Sequence, residues 1–342
     1  MGLAGPRMQE AGVRPLVAFE RLVVMGFAEV LASLPFFLSL RRRVRRTLDE
    51  SPPDLVIPID YPGFNLWLAG QSNSRDIRVL YYIAPQLWAW RPGRAASLAQ
   101  KADRVAVVFP HEEPFLREFG VDAVFVGHPL LDRLEEWESP TEAREAAGIE
   151  PGSPVLGLLP GSRPQEVQRL LEPFLDVAEE VLVRSEEVQV LVSGAAHVSP
   201  ELYDAARERG YTVVESSRRV LAAATAVLTK SGTTTVEAAL MGTPLVIAHR
   251  VHPLTYSLAR RLVRVESVGM VNLLAGRRIA PEFVQDLPAP RIADALMPLL
   301  EVDSTERSAM VEALREVRDL LGDAGAPERV ARLAAELLDR GS

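Results

Sequence analysis

The stretch TAVLTKSGTTTVEAALMGTPLVIAH, residues 225 to 249, holds the fold in miniature. Its apolar start, TAVLTKSG (225 to 232), reads as a strand of a sheet covered on both faces, and it stops at Gly232. TTTVEAALMG then reads as a helix opening on small hydroxylated residues, and TPLVIAH (243 to 249) as the next strand. Backbone N–H groups at the helix start, the positive end of its dipole and the neighbouring hydroxyls form a phosphate seat from Ser231, Gly232, Thr233 and Thr234. Glu237 lies about one turn deeper, where a carboxylate reaches a sugar diol. The same residues also suit an ordinary Ser/Thr cap followed by a solvated glutamate.

Working outward, the pattern repeats. PVLGLLPGS (154 to 162), VQVLVSG (188 to 194) and YTVVE (211 to 215) are short apolar runs separated by amphipathic segments such as PQEVQRLLEPFLDVAEEVLVR. PDLVIPID (53 to 60), RVLYYIA (78 to 84), DRVAVVF (103 to 109) and AVFVG (123 to 127) do the same in the first half. Strand and helix in alternation predict an α/β chain with two Rossmann-like doubly wound sheets, joined through the polar, Pro-marked stretch 135 to 154. A ligand then belongs between the domains, at the carboxyl ends of the strands. GLLPGSRPQEV (157 to 167) is a second strand end, Gly-Ser turn and helix start, and its Arg163 carries a planar fork suited to a diphosphate. Neither a G-x-x-x-x-G-K-[ST] loop nor a G-x-G-x-x-G turn is present, so a nucleoside diphosphate fits better than a P-loop nucleotide or a dinucleotide.

Composition sets the outer bounds. The chain has 342 residues, 48% hydrophobic and 25% charged, with a formal charge of −8 and no cysteine. An acidic balance argues against general nucleic-acid binding, and the missing thiols exclude disulfides, thiolate metal sites and cysteine chemistry. No metal-ligand cluster is evident. MGLAGPRMQEAG lacks the basic and apolar regions of a signal peptide, which suggests a cytoplasmic protein. LVVMGFAEVLASLPFFLSL (22 to 40) is nearly long enough to span a bilayer but contains Glu29 and Pro35, and RRRVRR (41 to 46) follows at once. This segment is either a core helix with a solvated basic end or an element lying in the headgroup layer.

AGPRMQEAG, VMGFAEVL, PDLVIPIDYPGFN, YYIAPQLWAWRPGR, FVGHPLLD, LLPGSRPQEV, SGTTTVEAALMGTP and MVNLLAGR resemble, in that order, the motif series of bacterial lipid-A-disaccharide synthase, an inverting glycosyltransferase of the two-Rossmann GT-B type. The resemblance implies transfer of 2,3-diacylglucosamine from its UDP ester to 2,3-diacylglucosamine 1-phosphate, with no cofactor and no metal. Such a transfer needs a base at the acceptor hydroxyl and cationic or N–H donors at the departing UDP. Arg163, Ser231, Gly232, Thr233 and Thr234 would hold the diphosphate, Glu237 the ribose, and Asn272 matches a family residue near the donor. Tyr82, Gln86, Trp88, Trp90 and Arg91 would line the acceptor cleft, although the tryptophans equally suit core packing. Acyl chains would meet Met25, Phe27, Val30, Leu31, Leu34, Phe36 and Phe37, with Arg41, Arg42 and Arg43 at anionic lipid, so that the chain is peripheral on the cytoplasmic face of the inner membrane. Domains are expected at 1–148 (acceptor and lipid) and 149–320 (donor), with 321–342 packing back on the first, and homodimers exchanging C-terminal parts are known in the family.

Two departures stand out. Many family members carry a second aspartate where this chain has Gly63, leaving Asp60 as the expected base, with a turn or cap aspartate as its plainer reading, and His128 as the other candidate, a residue that equally suits a phosphate or a hydrogen bond to a loop carbonyl. The family also has a strand and helix with a Gly-Glu-x-Ser-Gly-Asp signature ahead of the point matching AGPRM; the expectation is a start assigned too late and a first domain that is incomplete, poorly soluble and weakly active from Met1. The alternatives are a truncated, inactive copy that binds a membrane or a partner, and another UDP-sugar transferase or epimerase of the same architecture.

Overall fold

The computed structural model describes residues 1–17, 34–90, 92–251 and 267–339. Met25, Phe27, Val30, Leu31 and Arg91 lie outside the described residues, as do the side chains of Leu34 and Trp90. Two compact units are distinguished, Met1–Pro53 and Asp54–Ser342.

In the first unit, helix α1 (Pro6–Glu10) is closed by a parallel bridge between Gly2 and Pro15. Helix α2 (Leu34–Glu50) is amphipathic: Leu40, Val44 and Leu48 recur every fourth residue and are buried, while Arg42, Arg43, Arg45 and Arg46 are exposed. Phe36 and Phe37 meet edge to face with ring centroids 5.5 Å apart. Among the described residues no helix is long and apolar enough to cross a membrane.

The second unit contains two parallel sheets. The first runs β1 (Leu55–Val56), β2 (Arg78–Tyr82), β3 (Arg104–Val107) and β4 (Ala123–Phe125) in that spatial order, with α3 (Pro62–Asn73) after β1 and α4 (Glu112–Glu118) after β3. The strand expected over 53–60 is shortened to two residues and an isolated bridge between Ile59 and Tyr82, because Pro58 has no N–H to give the ladder. Helix α5 (Pro140–Ala146) opens with a Ser139–Glu142 capping box.

The second sheet has strands β5 (Val155–Leu159), β6 (Gln189–Ser193), β7 (Thr212–Val214), β8 (Ala226–Lys230), β9 (Leu245–His249) and β10 (Glu282–Val284), ordered β10-β9-β8-β5-β6-β7. That is the doubly wound order, with its reversal between β5 and β8. The strand β10 escaped the sequence reading because it is only three residues long and sits at an edge. Its helices include α6 (Pro164–Arg184), α7 (Ser217–Ala223), α8 (Thr233–Met241), α9 (Met270–Ala275) and α10 (Thr305–Leu320). Every residue of VLGLL in β5 is buried, as a strand sandwiched between helix layers requires. A side chain at Gly157 would come 2.8 Å from Val227 Cγ1 and 2.9 Å from Val220 Cγ1, so this glycine lets α7 approach the sheet closely.

The last helix, α11 (Ala326–Asp339), lays Val330, Leu333 and Leu337 on Leu80, Ala106 and Val126 of the first sheet. Asp132 accepts hydrogen bonds from the N–H groups of Gly325 and Ala326 at its start. Near its end, Arg104, almost fully buried, bridges Glu336 at 2.7 Å and Asp122 at 2.9 Å.

Candidate functional site

Where the strand order reverses, β5 and β8 lie side by side, with Leu159 paired to Thr229. Each strand feeds a helix, α6 from one and α8 from the other, so two helix N-termini come together at one point of the sheet. A cavity of about 350 Å³ opens there. Gly161 and Ser162 line it from the first junction, Thr234 and Glu237 from the second, and Ser193, Gly194 and Arg218 from the ends of β6 and the start of α7.

The two junctions are not equivalent. At the first, the Glu166 carboxylate turns back and accepts from the N–H groups of Ser162 (3.2 Å) and Arg163 (3.3 Å), with Lys230 Nζ 3.1 Å from its other oxygen. The anion seat read from GLLPGSRPQEV is therefore already filled by a carboxylate of the chain itself. Gly161 makes this possible. Its φ of 126° suits glycine, and a Cβ there would stand 2.6 Å from Glu166 Oε2. Arg163 occupies the N-cap position with its side chain 63% exposed, 3.9 Å from Glu166, and so stands at the rim.

At the second junction no side chain caps α8, which begins after Gly232. Thr233 is exposed and Thr234 half-buried. The Ser231 hydroxyl donates to Val268 O at 2.5 Å, which anchors the loop. Glu237 is buried and accepts from Arg218 Nε at 3.1 Å, while the Arg218 guanidinium lies 4.8 Å over the Trp137 ring. Asn272 is buried. Its amide donates to Ala280 O and Glu282 Oε1 and accepts from the N–H groups of Ile279 and Ala280, so all four of its bonds are made inside the protein and none remains for a ligand.

The carboxyl end of the first sheet is built differently. Asp60 and Tyr61 both have left-handed backbones, φ 47° and 45°, and Ile83, which is β-branched, has φ 60°. The strain at Asp60 is held in place: its N–H donates to Tyr82 O (2.9 Å), and its carbonyl accepts from Asn65 Nδ2 (2.7 Å) and the Tyr81 hydroxyl (3.0 Å). The exposed Asp60 is thereby fixed ahead of α3. Burial and the Asp60 charge raise Tyr81, which keeps its proton to donate.

Beside it runs a line of aromatic contacts. Trp88 meets His111 edge to face at 4.5 Å, His111 stacks on Phe109 at 5.9 Å, and Phe109 packs on His128 at 5.3 Å. Beneath them lies Glu112, which the sequence reading missed. It accepts from Trp88 Nε1 (3.4 Å) and the Phe109 N–H (3.2 Å), and burial pushes its carboxyl up to about 7. His128, the second candidate, is buried. Burial lowers it to about 4, and its Nδ1 accepts from the Leu130 N–H at 3.2 Å, so the neutral ring carries its proton on Nε2. A neutral ring so arranged presents an N–H donor. Tyr82, Gln86 and Trp88 are half-buried, and the Tyr82 hydroxyl is buried with no partner among the described residues.

A family model for lipid-A-disaccharide synthetase matches residues 1–325. The chain belongs to the lipid-A-disaccharide synthetase family. The lipid-A-disaccharide synthase of Geobacter sulfurreducens is 40% identical over 99% of this chain and 89% of its own length, and that of Nitrosococcus oceani is 40% identical over 99% and 88%. Among solved structures, a UDP-GlcNAc 2-epimerase from Neisseria meningitidis bound to UDP-GlcNAc superposes with a TM-score of 0.62 at 12% identity, covering 96% of this chain and 87% of that one. That likeness establishes the two-sheet fold of the family member described here. The signals for what the sequence reading missed were local. Glu166 stands three residues after the α6 cap, and Lys230 directly precedes the Ser-Gly of the second junction.

Proposed function

We propose that this chain transfers a 2,3-diacylglucosaminyl group from UDP-2,3-diacylglucosamine to the primary hydroxyl of 2,3-diacylglucosamine 1-phosphate, forming the β-1,6 disaccharide 1-phosphate of lipid A biosynthesis and UDP. Membership of the family supports the activity. The observation that carries the placement is the convergence of Gly161, Ser162, Thr234 and Glu237 on one cavity at the sheet's reversal point. The diphosphate would lie over the uncapped start of α8, with Lys230 and Arg163 as cations and Glu237 at the ribose. As the acceptor oxygen bonds to the anomeric carbon, the bond to the phosphate oxygen breaks, and N–H donors and cations stabilise the charge arriving on UDP. The hydroxyl proton passes to the Asp60 carboxylate. Attack opposite the leaving group inverts the centre. No cofactor takes part; the UDP-sugar is a substrate.

The exposed arginines of α2 would hold the chain on anionic lipid at the cytoplasmic face of the inner membrane, bringing the acylated sugars within reach. A homodimer exchanging its C-terminal parts belongs to the same proposal, α11 being the segment exchanged. The decisive experiment measures UDP release with both acylated sugars. Turnover that is lost in Asp60→Ala and lowered in Arg163→Ala, in proteins that remain folded, supports the reading; full turnover and unchanged UDP affinity in Arg163→Ala removes Arg163 from the donor assignment.

A further inference from the structure

A second cavity, of about 450 Å³, lies at the opposite end of the six-stranded sheet, beside Thr225 and Thr243, which precede β8 and β9. Arg144, Arg307 and Arg318 line it. Arg144 donates to Ser153 O (3.1 Å) and Thr225 Oγ1 (3.2 Å), and Arg307 to Thr225 O and Leu299 O, so two guanidiniums converge on one residue with N–H groups to spare. Among the described residues none of the three arginines pairs with a carboxylate. Glu138, the acid in the wall, is already taken by Arg219. Burial, and next the Arg144 charge, push the Arg307 guanidinium down. Beside Thr225 and Thr243 the rest of the wall is apolar, with Leu134, Leu240 and Met241, and the indole N–H of Trp137 is buried with no partner among the described residues. Anchoring loop carbonyls explains some of the arginine hydrogen bonds, but not three like charges gathered at a cavity with no carboxylate partner among the described residues.

We propose that this cavity is an effector site for a small anion with an apolar body, coupled to the donor cavity. Both α7 and α8 run between the two cavities. Arg218 and Glu237 line the donor cavity, while Ala222 and Met241, further along the same helices, line this one. Trp137 provides a direct contact, since its ring lies under the guanidinium that holds Glu237. An anion that draws on the arginines or on the Trp137 N–H therefore acts on the group that positions the proposed ribose ligand. By linkage the effect is reciprocal. The coupling rests on the donor reading above; binding at the cavity does not.

The test is calorimetric titration of the full chain with phenyl phosphate, with phenol as the neutral control, in the presence and absence of saturating UDP. Saturable phenyl phosphate binding with UDP present is expected, with UDP affinity shifted by the same factor that UDP shifts phenyl phosphate. Val302, 71% exposed at the cavity wall, allows a variant that removes no arginine. Val302→Glu sets a carboxylate among the guanidiniums and should weaken binding about tenfold or more, whereas Val302→Gln should not. The site is overturned by absence of saturable binding in protein that still binds UDP, by equal affinity for phenol, by full competition with UDP, or by unchanged affinity in Val302→Glu. Unchanged UDP affinity at saturating phenyl phosphate overturns the coupling.

Discussion

The carboxyl end of the six-stranded sheet meets its ligand space with backbone amides, short hydroxyls and paired charges, whereas the carboxyl end of the four-stranded sheet meets its own with strained backbone and ionisable groups held out of water. The first arrangement suits an anion that must be held and released. The second suits proton traffic, because burial moves Glu112, His111 and His128 away from their ordinary values. The sharpest way to break this division is Asp60→Asn. It should lower kcat about 10²–10⁴-fold, the range of a positioned base, while leaving UDP affinity within about twofold. Equal losses in both, measured by UDP release and calorimetry, would show that Asp60 is not confined to the acceptor step.

Next in size is a pH effect on stability that arises at the four-stranded sheet. Burial raises Glu112 from 4.5 to about 7 in the folded chain. A raised folded value means that the native state holds the proton more tightly than the unfolded chain does. The stabilisation is fully present below about pH 4.5 and is lost as pH rises through about 7. The window corresponds to roughly 3 kcal/mol at most. Urea unfolding across this range should show native protein losing stability relative to Glu112→Gln, which keeps one acceptor oxygen for the Phe109 N–H or the Trp88 indole and carries no titrating proton. Parallel curves for the two proteins would remove Glu112 from the account.

The same contrast explains what could be read from the chain. A strand ending in Gly-Ser or Ser-Gly ahead of a helix is local grammar, so the anion junctions at 161–163 and 231–234 and the alternation behind both sheets were legible within ten residues. What each side chain does there was not. Asn272 lies in a motif matching the donor region, yet it clamps residues 279–282, a partnership set by tertiary packing. Glu166 was visible as a cap, but its ion pair with Lys230 needs β5 and β8 to be neighbours. The strand order was out of reach, and with it Arg218 as the partner of Glu237. Glu112 in FPHEEPF looks like any acid opening a helix, and only burial gives it a perturbed proton.

Within the six-stranded sheet the comparison can be sharpened through its two cations. Lys230 is tethered to the carboxylate that occupies the first junction and is 26% exposed, whereas Arg163 is 63% exposed at the rim. Lys230→Gln should weaken UDP binding about tenfold, as loss of a charge-assisted bond does, and Arg163→Gln about threefold, because solvent screens an exposed charge. The reverse order in calorimetry would mean that the diphosphate lies across the rim.

The smallest expected effect concerns Gly63, in the first turn of α3. The space its side chain would enter holds no atom within 4 Å, and its backbone is not left-handed, so Gly63→Asp meets neither a clash nor strain. Exchanging a helical glycine for an acid near the positive end of the dipole should raise stability by about 0.5–1 kcal/mol. The same variant bears on the acceptor step, because the resembled motif carries an aspartate at this position. If Asp60 alone takes the proton, kcat in Gly63→Asp stays within about twofold of the native value. A larger rise, persisting when Asp60→Asn is added, would transfer the base from the end of β1 to the first turn of α3, and the strain at Asp60 would then serve to aim that turn.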